Sequence, residues 1–232
     1  MIKLYGFGPA FGIVDASPFV VKVDLFLRIN DIEFEIVAGN QYVQKAPKGK
    51  LPFIEDQGAV IGDSAFILDH LSKQHGVDMD SWLSESQRAS AYLITKSLEE
   101  NFYWCRVYSN WVDNNNWPIS REAFFGSLPT PVNYIVAPIV RRGVTKQLKA
   151  QGIARHSDTE ILDIGKRSLD AISNLLGEQE TMFGNRISSL DIAVYAMIAT
   201  LCLENRESEL GNLVKGYANL NAFAHRIHDQ YY

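Results

Sequence analysis

From Ile2 to His75 the chain alternates short strand-like runs with amphipathic helix-like runs, and beyond Gly76 the strand-like runs stop. Ile2 to Phe7 reads as a strand. Phe19, Val20, Val23, Phe26, Leu27 and Ile29 recur at close to 3.6 residues, so Pro18 to Ile29 reads as a helix. Glu33 to Val37 alternates charged with apolar residues as a second strand does. Pro52 to Glu55 and Ala59 to Ile61 flank Asp56-Gln57-Gly58, the pattern of a hairpin with a glycine in its turn. Asp63 to His75 then forms a helix stopping near Gly76. Strand, helix, strand, hairpin, helix predicts a mixed sheet with helices packed on it, an α/β unit spanning residues 1–76.

Residues 77–84 are polar and bracketed by turn formers, which suits a linker, and residues 85–232 read as an all-helical unit. Ser157-Asp158-Thr159-Glu160 is a capping box whose helix runs to Leu176, ahead of Gly177. Ser188 and Asp191 repeat that spacing with aspartate in the acidic position, and Ile187 and Ile192 occupy the two places of a hydrophobic staple. The segment from Asn110 to Val144 contains Pro118, Pro129, Pro131 and Pro138, so it is expected to break into short helices joined by turns.

Composition removes several function classes. With 22 basic against 27 acidic residues and no long charged run, the net charge of -5 offers no footprint for nucleic acid or an anionic membrane. Cys105 and Cys202 are the two cysteines; they lie far apart, without metal-ligand spacing or a Cys-x-x-Cys centre, which favours a reducing, cytoplasmic compartment. The start of the chain lacks the long apolar core of a secretory signal. Leu190 to Leu203 contains Asp191 and falls short of the roughly 20 residues of a membrane span, so it reads as a buried core helix.

Three places carry residues suited to chemistry. Ser17 precedes Pro18 at the start of a helix, where its oxygen is placed to cap a backbone N–H and where the same hydroxyl, beside the positive end of the helix dipole, can stabilise an anion such as a thiolate. Pro52 either opens an edge strand or follows a cis bond that turns the N–H and C=O of Leu51 outward to pair with an extended peptide. Asp63 and Ser64 either cap the next helix or hold the ammonium and carboxylate of an amino-acid head group. Lys48 and Lys50 suit a second carboxylate or a solvated turn. Gly6 to Gly12 follows a strand, yet Phe11 stands where a dinucleotide fingerprint needs its third glycine and Pro9 removes a donor, so a phosphate loop is rejected. The histidines show no metalloprotease spacing and no metal is expected. The aromatics Phe102, Tyr103, Trp104, Tyr108, Trp111, Trp117, Phe124 and Phe125 pack between helices or line an apolar pocket.

In order and spacing, Lys3-Leu4, Ser17-Pro18-Phe19, Gly49-Lys50-Leu51-Pro52-Phe53-Ile54 and Asp63-Ser64 resemble the glutathione-binding half of cytosolic glutathione transferases. Ser188-Ser189-Leu190-Asp191 looks like the buried capping motif of that family's helical half. The loop Pro9 to Ala16, the run Gly152 to Ser157, and the tail from Asn219 through Arg226 to Tyr231 are similar to the failed-axon-connections branch, which is related to metaxins. The resemblance covers essentially the whole chain and implies a thioredoxin-like domain followed by an all-α domain. It implies reduced glutathione as co-substrate with no tightly bound cofactor, Ser17 as the thiol-activating residue, Leu51 beside Pro52 pairing with the cysteinyl backbone, Asp63 and Ser64 holding the γ-glutamyl end, and Lys50 at a ligand carboxylate. Tyr5, on the first strand, is the runner-up for the catalytic role. The implied protein is a homodimeric, serine-type transferase acting on a hydrophobic electrophile, or a non-catalytic binding or scaffold protein of the same fold. Serine at position 17 cannot form a mixed disulfide, which sets thiol-disulfide exchange aside.

Overall fold

The computed structural model describes residues 1–232. Four strands, β1 (Ile2–Gly6), β2 (Phe34–Ala38), β3 (Phe53–Asp56) and β4 (Ala59–Gly62), form a sheet of order β2-β1-β3-β4. β1 and β2 are parallel, so the chain crosses over between them through helix α1 (Pro18–Ile29); β3 and β4 each join antiparallel. Gln57 and Gly58 turn the β3–β4 hairpin with φ of 48° and 86°, and glycine supplies the second of these without a Cβ penalty. Helix α2 (Ser64–His75) packs on α1 and on β3 and β4, then ends at Gly76.

The rest is helical: α3 (Glu85–Ser97), a π-helical turn over Leu98–Phe102, α4 (Tyr103–Trp111), α5 (Trp117–Phe125), α6 (Val132–Gln151), α7 (Asp158–Leu176), α8 (Ser189–Cys202), α9 (Glu209–Lys215) and α10 (Ala218–Tyr231). The architecture is a small mixed-sheet domain followed by a helical one. Every residue of α8 except Ser189 is buried, and the apolar side chains of α1 from Val20 to Leu27 pack between it and the sheet. Apolar periodicity in α1 and an unbroken apolar run in α8 thus place one helix between layers and the other at the centre of the core. No helix is long and apolar enough to cross a membrane.

Two polar ties join the sheet domain and the segment after it to the helices, and a third fixes the start of α8 within the helical domain. The Lys22 ammonium of α1 lies 2.7 Å from a Glu99 oxygen, both groups buried, and Lys96 reaches the other oxygen at 2.9 Å. Asp80 accepts the Ser189 backbone N–H at 2.8 Å and its hydroxyl at 2.5 Å, capping α8 from the segment after α2. Asp191 is fully buried and accepts from the backbone N–H groups of Met182 (2.7 Å) and Ser188 (2.8 Å) and from the Ser188 hydroxyl (2.6 Å).

One expectation is corrected. Pro138 does not end a helix; α6 runs through it for 20 residues. The carbonyl that loses its donor belongs to Tyr134, and both residues sit on the exposed side of the helix, where the missing bond costs little because solvent has access. Pro118 does mark a start, lying in the first turn of α5, and residues 126–131 form the expected turn.

Candidate active site

β1 ends at Gly6, where a Cβ would stand 2.5 Å from Asp15 Oδ2 and 2.9 Å from Val20 Cγ1; only glycine lets the returning chain come this close. The loop that follows doubles back through paired backbone bonds between Ala10 and Ile13. Asp15 closes it. One carboxylate oxygen accepts the Gly8 N–H at 2.7 Å and the other accepts the Ser17 N–H at 2.8 Å, with the residue 2 % exposed. Burial pushes the Asp15 carboxyl up to about 7 against the pull of those backbone donors.

Ser17 occupies the N-cap of α1 with extended backbone angles (φ -98°, ψ 121°), and its carbonyl accepts the first helical bonds from Val20 and Val21. Its hydroxyl makes no capping bond to the helix. A serine at this position ordinarily caps; here the hydroxyl stays uncommitted at the positive end of the helix dipole.

The second wall begins at Leu51, whose peptide bond to Pro52 is cis. Neither the N–H nor the C=O of Leu51 is bonded within the chain, while the Pro52 carbonyl accepts the Asp63 N–H at 3.4 Å and ties this segment to the start of α2. Asp63 caps α2 by accepting the Ala65 N–H at 3.0 Å and does so at φ 86°, a left-handed conformation that costs a non-glycine residue on the order of 1–3 kcal/mol. Its carboxylate is exposed, whereas Ser64 beside it is buried. Lys48 lies with its ammonium 4.0 Å over the ring of Phe66 on α2, and Lys50 projects into solvent.

Sheet register brings the two walls to one end of the sheet. Tyr5 of β1 faces Phe53 of β3, so the chain leaving β1 toward Ser17 and the chain entering β3 from Leu51 diverge from neighbouring positions. Ser17, Leu51, Pro52, Asp63 and Ser64 therefore share that end, with α1 and α2 on one face. Tyr5 is placed elsewhere. Side chains alternate across the strand, so Tyr5 points to the face opposite Gly6 and α1, stacked 4.1 Å from the Phe53 ring and 5.0 Å from Tyr42. Burial and the nearby Glu55 carboxylate hold its phenol above the ordinary value.

The aromatic segment closes onto the loop after β1. Phe124 lies 5.7 Å from Phe7, 6.3 Å from Phe11 and 5.3 Å from Trp111, and its carbonyl accepts from Asn40. Trp111, Trp117 and Phe125 pack on one another beside it, while Phe19 meets Tyr103 at 4.8 Å. A cavity of about 550 Å³ opens at the other end of α1, bordered by Ile29, Met79, Arg186 and Tyr231.

Sequence reasoning missed the polar residues beneath the loop. Arg106 of α4, buried, donates to the Ala16 carbonyl at 3.0 Å; Asn205 N–H donates to the Phe11 carbonyl at 2.7 Å; the Arg206 guanidinium stacks 4.0 Å over the Phe11 ring and bonds Glu204 at 2.9 Å. Asp15 carried a usable signal, since aspartate two residues before a helix-opening serine suits a local Asx turn. Arg106 carried a weaker one, a charge inside the otherwise uncharged run from Phe102 to Tyr108.

Comparison with known proteins joins this geometry to a family. A family model described as the glutathione S-transferase N-terminal domain matches residues 18–116, and one described as the glutathione S-transferase C-terminal domain matches residues 165–227. The isoprene-epoxide glutathione S-transferase of Rhodococcus sp. (strain AD45) is 30% identical over 236 residues, covering 100% of this chain and 99% of that one. The chain belongs to the glutathione S-transferase family. Failed axon connections of Drosophila melanogaster is 31% identical over 87% of this chain and 50% of its own length, and human metaxin-2 is 27% identical over 91% and 81%. Among solved structures, the β-etherase LigF of Sphingobium sp. strain SYK-6 superposes with a TM-score of 0.70 at 20% identity over 98% of this chain and 94% of that one. A glutathione transferase family member from Pseudomonas fluorescens pf-5 with two glutathione bound gives 0.60 at 17% identity over 97% and 87%. At these identities the structural likeness establishes the glutathione S-transferase fold, and the N-terminal family match begins one residue after Ser17, leaving the long loop outside it.

Proposed function

We propose that the chain binds reduced glutathione across Leu51 and the start of α2 and that the Ser17 hydroxyl activates its thiol for attack on an apolar electrophile. The observation that carries this reading is the uncommitted Ser17 hydroxyl at the α1 N-terminus, at the same end of the sheet as the unpaired backbone of Leu51. In this reading Leu51 pairs with the cysteinyl backbone, Asp63 takes the γ-glutamyl ammonium, Ser64 and the α2 N-terminus take its carboxylate, and Lys50 reaches the carboxylate at the other end. Pro52 shapes the turn that presents Leu51. Ser17 is preferred to Tyr5 because the Tyr5 phenol lies on the other face of the sheet.

A thiol of ordinary pKa about 8.5 brought two units lower needs about 2.7 kcal/mol. One hydrogen bond to a charged group supplies about 1.5–3 kcal/mol and the helix terminus about 0.3–1 kcal/mol, so Ser17 and α1 together suffice. The thiol proton leaves to solvent, the thiolate sulfur forms a bond to the electrophilic carbon, and the bond from that carbon to the leaving group breaks, its electron pair going to the leaving group. For an epoxide, the electrophile named for the Rhodococcus relative, the C–O bond opens and the alkoxide takes a proton from water.

Non-catalytic binding is the second reading, and it is favoured by the ring packing of Phe7, Phe11 and Trp111 on Phe124, which fills space beside the loop, and by the metaxin relatives. Calorimetric titration with reduced glutathione and product analysis with an apolar epoxide test both. Saturable binding with conjugate formation supports the enzyme, binding without conjugate supports the scaffold, and no binding at millimolar glutathione refutes the glutathione site. The chain is further proposed to act in the cytoplasm as a homodimer, with exposed Val60 and Phe66 of the sheet domain meeting Tyr92 and Leu93 of a second copy. Sedimentation at micromolar concentration as a 26.1 kDa species alone would refute the dimer.

A further inference from the structure

The loop between β1 and α1 is held from two sides, and both holds converge on the peptide that precedes Ser17. From within the loop, the Asp15 carboxylate accepts the Ser17 N–H at 2.8 Å and the Gly8 N–H at 2.7 Å. From the helical domain, Arg106 donates to the Ala16 carbonyl at 3.0 Å and to the Thr200 carbonyl at 3.4 Å. The peptide unit Ala16-Ser17 thus has its oxygen fixed by α4 and its nitrogen fixed by Asp15. With that peptide pinned on one side and the Ser17 carbonyl held by Val20 and Val21 on the other, the φ of Ser17 and the direction of its Cα–Cβ bond are constrained without the capping bond that usually orients an N-cap serine.

We propose that Asp15, with Arg106 opposing it across the Ala16-Ser17 peptide, is a positioning residue that aims the Ser17 hydroxyl at the glutathione thiol. The inference rests on the Ser17 reading above and adds a residue outside the glutathione-contacting set. Two ionised oxygens suit two backbone donors; a protonated carboxyl turns its O–H toward one of them and loses that bond. Burial has pushed this carboxyl up to about 7, so the hold on Ser17 weakens within the working range of a thiol transferase. The charges facing Asp15 are Asp24 of α1, which disfavours its ionised form, and Arg106 of α4, which favours it; Arg106 is shared with Glu204 and lies near Arg206, whose charges offset one another.

A double-variant cycle tests this, read by the ultraviolet absorbance of the thiolate of reduced glutathione bound to the full chain. Asp15→Asn is expected to keep glutathione affinity within about threefold and to raise the pKa of the bound thiol by about one unit, which lowers the bound thiolate fraction at pH 7 about threefold. In a Ser17→Ala background the same substitution is expected to change nothing, because Asp15 acts only through Ser17. A shift from Ser17→Ala with none from Asp15→Asn overturns this proposal and leaves the Ser17 reading standing. No shift from Ser17→Ala overturns both. Additive shifts assign Asp15 a route to the thiol that bypasses Ser17, which also overturns it. Should Asp15→Asn fail to fold, the wild-type chain decides: the conjugation rate with an apolar epoxide at saturating glutathione is expected to fall more than tenfold between about pH 6.5 and pH 5.5, because thiol and Asp15 are protonated together, and a fall of less than tenfold over that unit overturns the proposal.

Discussion

Asp15→Asn has a stability signature that can be worked out in advance. The Asp15 carboxyl ordinarily titrates at 3.8 and in the folded chain at about 7, with burial the dominant cause. A folded-state pKa above the unfolded one means that the protonated form is favoured by folding. The group's contribution to stability is therefore fully present below about pH 3.8 and is lost as the pH rises through about 7. At about 1.4 kcal/mol per pH unit the whole loss is about 4 kcal/mol, of which somewhat more than half falls between pH 5 and pH 8. Asparagine at position 15 does not titrate, and its amide sets one N–H against a backbone donor at every pH, an offset of about 1–3 kcal/mol. Urea unfolding followed by tryptophan fluorescence, run on both chains at several pH values from 5 to 8, gives the difference curve directly. The variant is expected to gain about 2–3 kcal/mol on the wild type across that range. A difference that stays flat within about 0.5 kcal/mol would refute the reasoning, because Asp15 would then titrate as an exposed carboxyl does.

Other perturbations follow from the buried polar ties. Glu99→Gln leaves the Lys22 ammonium buried without its counter-charge and is expected to cost about 3–5 kcal/mol in urea unfolding, most of it regained in the double variant Lys22→Met with Glu99→Leu. Asp191→Ala strips the acceptor from the Met182 and Ser188 N–H groups and the Ser188 hydroxyl, so a loss of at least about 3 kcal/mol is expected by the same assay. Phe124→Ala removes the ring packed by Phe7, Phe11 and Trp111; about 2 kcal/mol of stability should go, and conjugation of bulky epoxides should rise relative to small ones.

Local signals were the legible part of this fold. Ser157 with Glu160 and the stop at Gly177 bound α7 as Asp158–Leu176, and Gly76 ends α2 because capping and turn chemistry depend on neighbours a few residues away. The candidate-site residues were legible for the same reason, since Ser17, Pro52 and Asp63-Ser64 each sit at the end of a regular element. Parity along β1 puts Tyr5 with Lys3 and apart from Leu4, yet the strand alone does not say which face receives α1. Pro138 misled because a proline's cost depends on whether the freed carbonyl meets water, a property of the folded surface. Arg106 with Ala16 and Lys22 with Glu99 join residues 90 and 77 positions apart, and no local pattern announces such pairs.

The measurement closest to the central claim is the pKa of the glutathione thiol bound to the wild-type chain and to Ser17→Ala, from ultraviolet titration of the thiolate. A bound thiol near 6.5 is expected, about two units below an ordinary thiol, with a value at least about one unit higher in Ser17→Ala and Tyr5→Phe unchanged. Equal values in wild type and Ser17→Ala, or a shift that disappears in Tyr5→Phe instead, would contradict that claim.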